Sequence, residues 1–261
     1  MQTTYRQTKI YCKMKKLILL IIISLTTNCV NGQWQPTSQT AVNCVVANDS
    51  NIFAGGMGVF LSINNGSSWS AVNNGLTNMQ VSSLAISGNK IFAGTYNGGL
   101  FLSTNNGALW TTANTGLPNH RVNSIAISGT NIFAGVDSSG VFLSTNNGGL
   151  WTMVNTGLTN ILVSSLAVSG TNIFVGTDSG GVFLSTNNGG LWTSVNTGLP
   201  NSYVGSLVIS GTNIFAATSA GVFLSSNNGG LWTAVNTGLP TNYVGSLVIS
   251  GTNIFAATNT P

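Results

Sequence analysis

Glutamate is absent from this 261-residue chain, and Asp49, Asp137 and Asp178 are its only acidic side chains. Charged residues make up 4% of the sequence, a level at which acid–base and electrostatic chemistry has few groups to draw on. Histidine occurs once, as His120, which removes any His-based metal cluster and leaves a Ser-His-Asp triad without a recognisable nucleophile elbow. No metal site or cofactor is expected. Cysteine is scarce as well. Of Cys12, Cys29 and Cys44, only the last lies beyond residue 32, so a processed chain could form no internal disulfide.

The formal charge of +4 comes from one end. Arg6, Lys9, Lys13, Lys15 and Lys16 precede an apolar run, Leu17 to Leu25, that has nine residues. A bilayer span needs about 20, so this run is not a transmembrane helix. A basic stretch, a short apolar core and a small-residue exit predict a secretory signal peptide over residues 1–32, cleaved after Val30-Asn31-Gly32. Met14 is an alternative start. Cys29 would suit a lipidated N-terminus, but Thr26-Thr27-Asn28 before it lacks the usual Leu and small residue. Past the leader, Lys90 and Arg121 face three aspartates, a net of −1, which leaves no basic face for nucleic acid. The mature chain is expected to be secreted or attached to the cell envelope, with no transmembrane segment.

What the chain has in abundance is repetition. Trp69, Trp110, Trp151, Trp192 and Trp232 follow one another at intervals of 41, 41, 41 and 40 residues. A second-strand Phe recurs as Phe53, Phe92, Phe133, Phe174, Phe215 and Phe255. Units begin near 42, 81, 122, 163, 204 and 244, preceded by residues 33–41, a candidate closure strand containing Trp34. In the third unit four β-rich runs (Val122 to Ser128, Asn131 to Gly135, Gly140 to Ser144, Trp151 to Asn155) alternate with Ser-Gly-Thr, Asp-Ser-Ser and Asn-Asn-Gly-Gly turns. The runs are too short for helices and rich in Val, Ile, Phe and Trp. In the first run, Ile125 and Ile127 point to one side and Val122 and Ala126 to the other, so both faces need covering. Four strands in about 40 residues, each sheet covered by its neighbours, predict an all-β propeller of four-stranded antiparallel blades: five complete and part of a sixth. An open β-solenoid is the alternative, with coils usually shorter than this.

The segment S-T-N-N-G-G-L-W and its variants resemble the Asp-box, or BNR repeat, S-x-D-x-G-x-x-W. The matching positions are Ser62, Asn64, Gly66 and Trp69; Ser103, Asn105, Gly107 and Trp110; Ser144, Asn146, Gly148 and Trp151; Ser185, Asn187, Gly189 and Trp192; and Ser225, Asn227, Gly229 and Trp232. Asn stands where the family has Asp. Asn still accepts backbone hydrogen bonds but brings no charge, so the boxes are expected to be turn devices rather than calcium sites. The resemblance implies a propeller similar to sialidase-like proteins, to photosystem II assembly or stability factors, and above all to secreted bacterial repeat proteins. A sialidase would bring three Arg, a Tyr–Glu nucleophile pair and an Asp acid. Beyond the leader, one Arg and no Glu leave nothing to carry those roles, so a catalytic reading survives only for a fragment lacking them.

Comparison of the repeats with one another places the candidate site. The distance from first-strand Val to second-strand Phe is 11 in every unit, from third-strand Phe to Trp 9, and from Trp to the next Val 12. Only the interval between the second- and third-strand Phe changes: 7, 9, 9, 9 and 8 residues. That hairpin and the blade-to-blade link emerge at one end of a four-stranded blade. Contacts to an unidentified protein or glycan are therefore expected there, from Tyr96, His120, Arg121, Asp137, Asp178, Tyr203 and Tyr243. Asp137 and Asp178 hold equivalent places in adjacent units, whereas Asp49 falls in the first hairpin. The near-identity of the units suggests recent duplication, and a sixth unit broken off after two strands suggests a fragment of a larger propeller.

Overall fold

The computed structural model describes residues 42–48, 51–200, 203–239 and 243–258. The expected leader, the candidate closure strand and Asp49 lie outside the described residues. Every described element is a strand or a turn. Blade 1 comprises β1 (Cys44–Asn48), β2 (Asn51–Gly56), β3 (Gly58–Ser62) and β4 (Ser70–Ala71). Blade 2 follows with β5 (Val81–Ser87), β6 (Lys90–Thr95), β7 (Leu100–Ser103) and β8 (Thr111–Thr112). Blade 3 has β9 (Val122–Ser128), β10 (Asn131–Val136), β11 (Gly140–Ser144) and β12 (Thr152–Met153). Blade 4 has β13 (Val163–Ser169), β14 (Asn172–Thr177), β15 (Val182–Ser185) and β16 (Thr193–Ser194). Blade 5 has β17 (Val204–Ser210), β18 (Asn213–Thr218), β19 (Gly221–Ser225) and β20 (Thr233–Ala234), and blade 6 has β21 (Val244–Ser250) and β22 (Asn253–Thr258). Within each blade the strands pair antiparallel in chain order.

The first strands touch in succession, β1 to β5 to β9 to β13 to β17 to β21, and form the inner wall. Apolar clusters lie between blades rather than within them. Phe133 and Val141 of blade 3 meet Val163, Leu166, Ile173, Phe183 and Trp192 of blade 4. On its other face, blade 3 sets Ile132, Ala134, Val136 and Phe142 against Phe92 and Leu100 of blade 2. Each sheet thus has two greasy faces, each closed by a sibling.

Two details differ from the sequence expectation. Val122 lies on the same side as Ile125 and Ile127, with Ala126 on the opposite side. The cause is a β-bulge: Val136 pairs with Val122 and Gly135 with Ser124, so Asn123 is left unpaired and the alternation shifts by one. The fourth strand is also shorter than the run Trp151 to Asn155, reduced to Thr152–Met153. Trp151 N–H is drawn away to Thr115 O of the preceding blade, at 2.9 Å. At the far end, Asn155 Oδ1 accepts from Val141 N–H at 2.7 Å, so a side chain takes over from the ladder.

The box turns anchor blade to blade. Ser144 Oγ donates to Asn146 Oδ1 and accepts from Gly148 N–H, both at 2.9 Å, while Leu150 N–H donates to Asn146 Oδ1 at 2.9 Å. Asn147 and Gly148 both take positive φ, 58° and 82°. Beneath the turn, Trp151 is buried, and its indole N–H donates to Ala113 O of blade 2 at 2.9 Å. The same bond joins Trp110 to Val72, Trp192 to Val154 and Trp232 to Val195. Close approach matters again at Gly116 (φ 91°), where a Cβ would run into the carbonyl of Trp151.

Trp151→Ala is expected to cost ~3–5 kcal/mol, the range for truncating a large buried aromatic, readable as a lowered urea midpoint. A second expectation concerns pH. Cys44 is half-buried, but its sulfur faces Gly55 inside the blade 1–blade 2 cluster. Burial pushes its thiol up from 9.0 to about 12, partly offset by a hydrogen bond to Gly55 O. A folded-state pKa raised in this way favours the native state below pH 9.0 and withdraws that support as pH climbs toward about 12. Denaturant titrations of wild type and Cys44→Ala across that window should show the variant losing less.

Candidate functional site

Backbone hydrogen bonds establish which turns share an end. Tyr96 N–H donates to Gln80 O, Asp137 N–H to Arg121 O, Asp178 N–H to Leu162 O and Ser219 N–H to Tyr203 O, at 2.8–3.3 Å. The second-to-third hairpins and the blade-to-blade links are therefore interleaved at one end. At the opposite end, Lys90 Nζ reaches Asn147 Oδ1 across blades at 2.8 Å, and Ser128 Oγ donates to Gly170 O at 3.1 Å. Those are the uniform turns.

All seven sequence-predicted contacts lie at the first end, and several of them approach one another. The Arg121 guanidinium carbon sits 4.5 Å above the centre of the Tyr96 ring, a cation–π arrangement. His120 Nδ1 lies 2.9 Å from Ser139 Oγ and 3.2 Å from Asp137 O. Tyr203 is half-buried, and its phenol is pushed up first by that burial, then by Tyr243 and Asp178, against an opposing pull from Arg121. Those four groups are thus within electrostatic reach. Tyr96, His120, Asp178 and Tyr243 are exposed; Arg121, Asp137 and Tyr203 are partly covered. Arg121 Nε is buried with no hydrogen-bond partner among the described residues. Together with Asn97 and Ser138, the Tyr96, His120, Arg121 and Asp137 side chains line a depression of about 170 Å³.

The distribution is lopsided. Among the described residues the charged side chains are Lys90, Arg121, Asp137 and Asp178, and all but Lys90 lie at this end. So does every tyrosine after residue 32.

Sequence reasoning missed the supporting glycines. A Cβ on Gly205 would strike the Tyr203 ring, whereas one on Gly245 would make ordinary contact with the Tyr243 ring, at 3.5 Å. The equivalent positions in the other blades are Asn43, Ser82, Asn123 and Ser164, so Gly appears only where Tyr precedes. That pairing was available as a signal. Missed too was Ser138, at φ 55° the one described positive-φ residue that is neither Gly nor a box Asn. No group of three or more His, Cys, Asp or Glu capable of holding a metal occurs among the described residues. Nor is any helix there long and apolar enough to cross a membrane.

Solved structures share this architecture. The extracellular domain of the one-component system BT4673 from B. thetaiotaomicron superposes with a TM-score of 0.71 at 18% identity, over 87% of this chain and 33% of that one. An ancestral GH74 enzyme gives 0.65 at 25% identity, over 82% and 34%. YCF48 bound to D1 peptide gives 0.61 at 16% identity, over 81% and 72%. The chain is a β-propeller repeat protein. It spans about one third of the length of the first and second of these structures. No family model matches it, and no curated protein does. These propellers have different roles, so the likeness establishes the architecture.

Because a non-glycine αL residue costs ~1–2 kcal/mol, Ser138→Gly should raise the propeller's stability by about 1 kcal/mol. A thermal melt would register this as a higher midpoint.

Proposed function

We propose that this propeller is a non-catalytic binding module, acting outside the cell or at its envelope, that meets a protein or glycan partner at its variable end. The observation that carries the reading is the gathering of Tyr96, His120, Arg121, Asp137, Asp178, Tyr203 and Tyr243 at that end, in a chain that beyond residue 32 is otherwise almost free of charge and tyrosine. Aromatic rings with a few charged and amide groups suit recognition: large contact area with little side-chain entropy to lose. The box residues Ser, Asn, Gly and Trp serve as turn and blade-to-blade fasteners at the other end. The leader read over residues 1–32 and the likeness to an extracellular domain support a role outside the cytoplasm.

Chemistry has little to work with. Glutamate is absent, and Asp137 and Asp178 stand on separate hairpins. A glycoside hydrolase needs two carboxyl groups opposed across the scissile bond. Its likeness to a GH74 enzyme therefore reads as shared scaffold. A protein partner, as for an assembly factor, gains support from the neighbour YCF48, which was solved with D1 peptide.

The test presents the full chain with a printed glycan panel and a displayed library of random linear peptides. Any ligand retained should lose about tenfold or more in affinity, ~1.4 kcal/mol, on combining Arg121→Ser with Tyr203→Ser. Lys90→Ser, at the far end, should leave it unchanged. Retention indifferent to the first pair but sensitive to Lys90→Ser would overturn the proposal.

A further inference from the structure

Beside the charged depression lies a second, larger one. An open groove of about 690 Å³ lies at the variable end of blade 3, lined by Leu117, Pro118, Phe142, Met153 and Ile161 together with Ser138 and Ser139. Ser138 lines both depressions, and Ser139 is tied to His120 Nδ1 at 2.9 Å, so the two adjoin at this hairpin. The floor is held in place. Asn155 Nδ2 donates to Ser139 O at 2.9 Å, and Gly140 N–H donates to Ile161 O at 3.1 Å.

The groove is particular to this blade. Met153 replaces Ala71, Thr112, Ser194 and Ala234 of the other units, and Ile161 replaces Met79, His120, Ser202 and Asn242. No other blade puts two large aliphatic side chains at these places. They are 58% and 43% exposed, more than a side chain serving only the core would show.

The geometry points to an extended peptide segment as the occupant, with one aliphatic side chain seated between Leu117, Met153 and Ile161 and a main-chain carbonyl accepting from Arg121. This inference rests on the binding-module reading and narrows it. The larger groove favours peptide over sugar: a pyranose stacks on an exposed aromatic face, whereas its one ring, Phe142, is 3% exposed and its accessible surface is aliphatic, and in the adjoining depression a face of the Tyr96 ring is taken by the Arg121 guanidinium. In the adjoining depression Arg121 shares the lining with Asn97 and Asp137. One cation and one carboxylate in the same depression leave it formally neutral, with donors and acceptors together. A peptide unit offers the complement, one C=O and one N–H. An isolated ionised group would meet repulsion from one of the two.

The experiment selects random displayed linear peptides on the full chain and measures the enriched sequence by titration calorimetry. One aliphatic position should recur among the enriched peptides. Affinity should fall about tenfold or more, ~1.4 kcal/mol, in Met153→Asp and in Ile161→Asp, with the thermal midpoint of each variant retained because both side chains are exposed. Leu231→Asp, exposed on a box turn at the opposite end, should bind as wild type. Added salt should change affinity little, since no net charge is paired. Enriched peptides indifferent to Met153→Asp and Ile161→Asp would overturn the inference. Retention of a glycan through Tyr203, with no peptide enriched, would also overturn it while leaving the binding-module reading standing. If neither panel yields a ligand, both fall.

Discussion

No blade in this protein has an interior of its own. A four-stranded sheet with apolar side chains on both faces is stable only between two others, and the indole N–H that reaches back to the preceding blade's backbone ties each sheet to its neighbour. Burial of Phe133 and Trp151 and satisfaction of the Ala113 carbonyl are thus properties of pairs of blades. Because that contact repeats, the residues serving it are held nearly constant from unit to unit. Variation is tolerated where no neighbouring blade must be matched, which is the end carrying the hairpins and links.

This division explains how much was legible beforehand. The tryptophan interval and the Phe spacings reported the blades because each is a copy of one packing solution, and the first three strands of blade 3 appear almost where their apolar runs place them. The fourth strand misled because Trp151 and Asn155 look like strand residues but spend their hydrogen-bonding groups across blades and hairpins. The side of Val122 misled for a related reason. A bulge changes parity without changing composition, and the polar or small residue after each first-strand Val was the only trace of it.

The candidate site divides in the same way. Comparing units with one another located the end and its seven side chains, since departures from a repeat stand out. The aliphatic groove escaped because Leu117 and Phe142 are ordinary repeat positions and Met153 sits in a strand. Only the fold reveals that these residues border the same hairpin as Arg121. A scaffold whose copies are interchangeable can therefore specialise one sector at a time, and blades 2 to 4 carry most of that specialisation.

The box turns have one further consequence, in chemical ageing. Each contains an Asn-Gly pair: Asn65-Gly66, Asn106-Gly107, Asn147-Gly148, Asn188-Gly189 and Asn228-Gly229. Exposed Asn-Gly sequences degrade when the glycine nitrogen attacks the asparagine amide and closes a succinimide. Here every one of those glycine N–H groups is held by the box serine hydroxyl, at 2.8–2.9 Å. The nitrogen is engaged and its orientation fixed. The serine that shapes the turn thereby also slows covalent decay of a polypeptide rich in this fragile dipeptide.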